Sequence, residues 1–131
     1  MGIRVRPAAF EKYAKRNGEV KAKARTRHVP GEMNRDEARY AQLLEADRLA
    51  GRVDSWQFEP MALYLADNLR YHPDFMVVYA DGSIEIHEVK GFWRDDAKAK
   101  IKMAATQFPM FRFRSFSLKK GRWEEMEFKP R

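Results

Sequence analysis

The chain has 131 residues, no cysteine, a formal net charge of +7 and an isoelectric point of about 9.8. That length supports one domain with its own core, and the missing cysteines exclude disulfides and thiolate metal centres. No apolar run reaches membrane-spanning length and no apolar signal stretch opens the chain, so a soluble, intracellular (cytoplasmic) protein without membrane partners is expected.

The charge is unevenly placed. Residues 1–31 hold nine Lys/Arg against Glu11 and Glu19 and carry the whole excess, while residues 32–131 hold equal numbers of basic and acidic side chains. A basic, flexible N-terminal arm (1–31) ahead of a single folded domain (32–131) is therefore expected. Arg25 and Arg27 are its candidate nucleic-acid contacts, because neutralised phosphates release counterions. A solvated leader with no partner is the competing reading. A short helix over 10–16 is compatible with the arm but has nothing obliging it to pack.

From Asn34 the pattern turns helical. Asn34 suits an N-cap, Glu37 falls at the third helical position and Gly51 suits the stop, with Ala38, Ala41, Leu44 and Leu49 as the apolar stripe. Residues 53–65 read as a strand or strand pair broken by Pro60, with Trp56 and Phe58 on one face.

Met76–Tyr79 and Ser83–Val89 then form two β-favouring runs around Asp81-Gly82, a strong hairpin signal. Side chains alternate faces along a strand. A three-residue loop, Ala80-Asp81-Gly82, gathers Met76, Val78, Ile84 and Ile86 into one apolar patch, which a one-residue slip would scatter. The same register sets Asp74 opposite Glu88, with Lys90 two residues along. Two carboxylates that close repel, more so when partly buried, and one lysine leaves an uncompensated charge. A divalent cation with oxygen ligands is the natural occupant, Mg²⁺ above all, with Mn²⁺ a plausible substitute. A Glu88–Lys90 ion pair with Asp74 bonded to backbone is the simpler alternative.

Asp95 or Asp96 begins a second helix through Gln107, with Ala97, Ile101, Ala104, Ala105 and Phe108 inward and Pro109 ending it. "MFRFRSFSL" alternates cleanly, Phe111 and Phe113 in, Arg112 and Arg114 out. Following a helix, it is expected to run parallel to the Glu88 strand through a right-handed crossover. "RWEEMEFKP" closes as an edge strand. The expected fold is α/β, a mixed sheet flanked by helices.

Pro73-Asp74, a hairpin-length gap, then Glu88-Val89-Lys90-Gly91 resembles the signature of the PD-(D/E)XK nuclease superfamily, and most of all its small phage-type branch of junction-resolving endonuclease I enzymes. The likeness covers residues 34 to about 115. It implies a restriction-endonuclease-like core and a metal-dependent endonuclease hydrolysing DNA phosphodiesters, with branched or junction (Holliday-type) DNA among its substrates. In that family the aspartate and glutamate bind the metal, here Asp74 and Glu88, and the intervening backbone carbonyl helps, here Val89. The lysine, here Lys90, positions the attacking water, and an upstream helical glutamate near the metal matches Glu37. Glu37 is also explained as a capping-box residue, and both roles stay open. Symmetric junction cutting would favour a homodimer.

Lys98 and Lys100 flank the apolar stripe of the second helix and reach toward phosphate or toward water. Arg112 and Arg114 are candidate backbone contacts that polar-out alternation also explains, and Trp93 stacks on a base or packs at the rim. His72 and His87 lack a third nitrogen or sulfur partner nearby, and by parity His87 points away from Glu88, which argues against zinc. The alternatives to a DNA endonuclease are a non-catalytic DNA-binding protein on the same fold, or a nuclease acting on RNA or single strands.

Overall fold

The computed structural model describes residues 3–5 and 29–131. Helix α1 (Arg35–Leu49) starts where the sequence predicts. Asn34 accepts from the Glu37 backbone N–H at 2.8 Å, the Glu37 carboxylate accepts from the Asn34 N–H at 2.9 Å, and this capping box satisfies two donors that the first turn leaves orphaned. Past Ala50, Gly51 takes the left-handed conformation (φ +85°) that ends many helices.

The described residues form eight strands: β1 (Ile3–Val5), β2 (Val53–Phe58), β3 (Met61–Ala66), β4 (Leu69–Tyr71), β5 (Phe75–Tyr79), β6 (Ile84–Val89), β7 (Arg112–Lys119) and β8 (Arg122–Phe128). Helix α2 (Asp95–Gln107) lies between β6 and β7. The main sheet has the order β2-β5-β6-β7-β8, and only the β6–β7 pair is parallel, as the crossover through α2 requires. Among the described residues the chain forms the expected α/β class, a mixed sheet with two helices.

The hairpin register is the three-residue one. Met76 pairs with Ile86 and Val78 with Ile84, the Tyr79 N–H donates to the Ser83 carbonyl, and the Gly82 N–H donates back to Tyr79. Gly82 stands at φ +90°, which a β-carbon would resist. Continuing that register places Asp74 opposite Glu88.

Two apolar cores cover the two faces of the main sheet. On one, Tyr40, Ala41 and Leu44 of α1 meet Phe75, Val77 and Val89. On the other, Ile101, Ala104, Ala105 and Phe108 of α2 and its end meet Ile86, Phe113 and Phe128. Burying each large side chain of this kind contributes about 1.5–3 kcal/mol.

Three expectations are corrected. The strands are not all in one sheet: β3 and β4 join β1 in a separate three-stranded sheet, order β1-β3-β4, whose Met61, Leu63 and Tyr71 share the α2 core. Residues 3–5, read as part of a flexible arm, form the edge strand of that sheet, with Ile3 opposite Leu63 and Val5 opposite Met61. In α1, Leu49 is exposed and Tyr40 holds the core position instead, because a step of five residues past Leu44 turns Leu49 about 140° away from the buried face. The helix read over 10–16 lies outside the described residues.

Candidate metal and catalytic site

The site forms at the end of the β5–β6 hairpin where the N-terminus of α1 reaches the sheet. Asp74 precedes β5, held by a backbone bond from Glu59 N–H to its carbonyl (2.7 Å) and by the buried Pro73 before it. Its Oδ2 accepts from the Val89 N–H at 2.9 Å, which ties the Asp74 carboxylate across the hairpin to β6. Glu88 is 4% exposed. Its Oε1 accepts from the Tyr71 hydroxyl at 2.6 Å, and its Oε2 pairs with Lys90 Nζ at 3.2 Å. The Lys90 backbone N–H donates to the Phe116 carbonyl, fixing that residue as a continuation of the β6–β7 ladder.

The electrostatics identify the neighbours. Burial, then the Glu88 and Glu37 carboxylates, push the Asp74 carboxyl well above the usual carboxylate range, against the partial offset of the Val89 N–H and Lys90. Burial would lower the Lys90 ammonium, but Glu88, Asp74 and Glu37 together outweigh it and raise the value. Asp74, Glu88, Lys90 and Glu37 thus feel one another electrostatically, and Glu88 is the carboxylate in ion-pair contact with the ammonium. Of its two expected roles, Glu37 fills the capping one, its carboxylate accepting from the Asn34 N–H.

Two carboxylates supply the hard oxygen donors that Mg²⁺ or Mn²⁺ takes, and Mg²⁺ commonly uses one or two carboxylates and fills its octahedron with water or phosphate oxygens. A carboxylate offers about four lone-pair positions, so Glu88 keeps acceptor capacity beside Tyr71 and Lys90. Among the described residues no three His, Cys, Asp or Glu side chains form a metal-holding group by themselves. Asp74 and Glu88 could supply two oxygen donors to such an ion, with the rest of its coordination left to backbone carbonyl, water or substrate oxygens. Val89 and Gly91, with Asn34, Arg35 and Asp36, line a cleft of about 290 Å³ beside the group.

The remaining candidates lie elsewhere. Lys98 and Lys100 are half-exposed on α2. Arg112 is paired with Glu127 and Glu85, and Arg114 with Glu85 and Glu125, so both guanidiniums are engaged by carboxylates. Arg114 is not turned out to water as alternation predicts. It is half-buried over the Phe116 ring, on the sheet face that α1 covers. Trp93 packs edge-on against Phe128, with Lys90 Nζ 5.7 Å from its ring centre, while its neighbour Phe92 is 79% exposed. Arg25 and Arg27 lie outside the described residues.

Two groupings go beyond the sequence pattern. Tyr71 on Glu88 joins two different sheets, and nothing local in the sequence signals that contact. On the far face, His87 is buried between the Tyr40 hydroxyl (2.7 Å from Nδ1) and Glu85 (2.8 Å from Nε2). That grouping does have a signal, since Glu85 and His87 alternate onto a face that α1 covers. Burial lowers the His87 pKa against the pull of Glu85, and the neutral ring bridges the two partners.

The sequence model of one family matches residues 11–123. No curated protein and no solved structure matches the chain. Because the match covers most of its length, the chain belongs to the DUF1064 family, described as a protein of unknown function.

Proposed function

We propose that the protein is a metal-dependent endonuclease that hydrolyses DNA phosphodiesters on a restriction-endonuclease-like core, with branched DNA as the favoured substrate class. The observation that carries this reading is the buried Glu88 carboxylate paired with the Lys90 ammonium beside the half-buried Asp74, at a hairpin register legible in the sequence. Mg²⁺ or Mn²⁺ bound there would supply Lewis-acid polarisation of the phosphate and a water of lowered pKa. Asp74 and Glu88 would hold the ion, the Val89 carbonyl would add a donor, and Glu37 would contribute negative charge from α1. Lys90 orients the attacking water and offsets charge building on the phosphate oxygens. The preference for junctions rests on the family resemblance.

The test is cleavage of a four-way junction beside linear duplex, single-stranded DNA and RNA, with Mg²⁺ and with chelator. Glu88→Gln and Lys90→Ala are each expected to lower the cleavage rate by about 100-fold or more while nucleic-acid binding persists. Wild-type rates in both variants would remove the catalytic assignment. A second reading has its own support: Tyr71 and Lys90 already engage both Glu88 oxygens, so the group is electrically coherent as a structural ion pair on a non-catalytic nucleic-acid-binding protein. Retained binding with no cleavage of any substrate in either metal would select it.

A further inference from the structure

Glu88 is held from two sides by chemically different groups. Lys90 comes from its own strand, two residues on, and sits on Oε2. Tyr71 comes from the end of β4, in the other sheet, and sits on Oε1 at 2.6 Å. The terminal torsion of a glutamate is broad and nearly two-fold, so an unrestrained carboxylate samples many planes. A short hydrogen bond from a fixed, buried donor selects one of them. The Tyr71 ring is fixed: it is 6% exposed and packs in the α2 core with its centre 6.5 Å from that of Phe113. The Tyr71 hydroxyl is the donor and Glu88 Oε1 the acceptor.

We infer that Tyr71 is a positioning residue for the candidate metal site: its hydroxyl sets the plane of the Glu88 carboxylate, and divalent-cation affinity depends on it. The four-residue segment Tyr71-His72-Pro73-Asp74 thereby delivers both one ligand and the group that aims the other. The β1-β3-β4 sheet, whose strands carry no Asp or Glu, meets the site through the Tyr71 hydroxyl. The inference rests on the metal-site reading above.

The experiment is a calorimetric titration of the full chain with Mn²⁺ and Mg²⁺, without nucleic acid. Wild type is expected to bind, and Tyr71→Phe to bind about 10- to 100-fold more weakly, the usual cost of losing a partner that orients a metal ligand. Tyr64→Phe, at a half-exposed position on β3, is the control expected to match wild type. A Tyr71→Phe affinity within twofold of wild type overturns the Tyr71 role and leaves the metal site standing, whereas a wild type that takes up neither ion overturns both. Should Tyr71→Phe not fold, wild-type protein carrying ¹³Cζ-labelled tyrosine decides the matter. The resonance displaced by Glu88→Gln is expected to shift on saturation with Mg²⁺, and an unmoved resonance counts against the inference.

Discussion

Asp74 is the residue where stability and proposed chemistry oppose each other. Its folded pKa is raised well above the reference 3.8 by burial and by Glu88 and Glu37. The native state therefore binds a proton at Asp74 more tightly than the unfolded chain does. The stabilisation this gives is complete below about 3.8 and is lost as pH rises through the raised value, so ionising the carboxylate strains the folded state. Asp74→Asn keeps an acceptor for the Val89 N–H but removes the charge. It is expected to raise stability at pH 7 by about 0.5–2 kcal/mol, the usual yield of relieving a strained functional site, and to flatten the fall in stability between acid and neutral pH. Guanidinium melts of both proteins at pH 5 and pH 7 measure this, and an Asn variant no more stable than wild type at pH 7 would contradict the strain. His87 shows the opposite arrangement. Buried and shifted downward, it is satisfied as a neutral ring between Tyr40 and Glu85, and strand parity alone separates it from Glu88.

At the scale of elements, the two helices begin differently. Helix α1 has a complete capping box, while α2 starts at Arg94 with no side-chain cap and only Asp95 and Asp96 facing the positive end of its dipole. The start of α1 matters more, because Glu37 in its first turn is the carboxylate that reaches Asp74 and Lys90. Asn34→Ala is expected to cost about 0.5–2 kcal/mol of folding stability, and Asn34→Asp far less, as aspartate caps equally well. Thermal or denaturant unfolding of the two variants distinguishes them, and equal losses would mean that the side-chain cap contributes nothing. The hairpin is the most legible element, since turn chemistry, alternation and the apolar patch agree on one register. The small sheet is the least legible. β4 has three residues, β3 is buried on both faces and so lacks alternation, and β1 is separated from its partner by more than fifty residues.

At the scale of the whole molecule, charge is segregated from chemistry. Residues 1–31 carry the +7 excess, and the remaining hundred residues are balanced, so nucleic-acid affinity in the proposed function would depend on the N-terminal segment. Because Ile3–Val5 forms a strand with β3, substitution is a cleaner probe than truncation. Arg25→Gln with Arg27→Gln is expected to reduce the slope of log affinity against log salt by about 0.9 for each phosphate that is no longer neutralised, without changing the folding midpoint. Filter binding to duplex DNA from low to moderate salt measures it, and an unchanged slope would free those two residues of any role in binding.

What the amino-acid sequence determined alone is whatever obeys a short period or a local turn rule: the limits of α1, the three-residue hairpin, the parallel β6–β7 crossover, and the placement of Asp74 across from Glu88. These follow because strand and helix periodicities and turn conformations depend on neighbours in the chain. Only the tertiary structure decided the second sheet, the approach of Glu37 to Asp74, and the hydroxyl of Tyr71 on Glu88. Those contacts join segments with no common period, and they arise from how apolar faces pack, which no local pattern encodes.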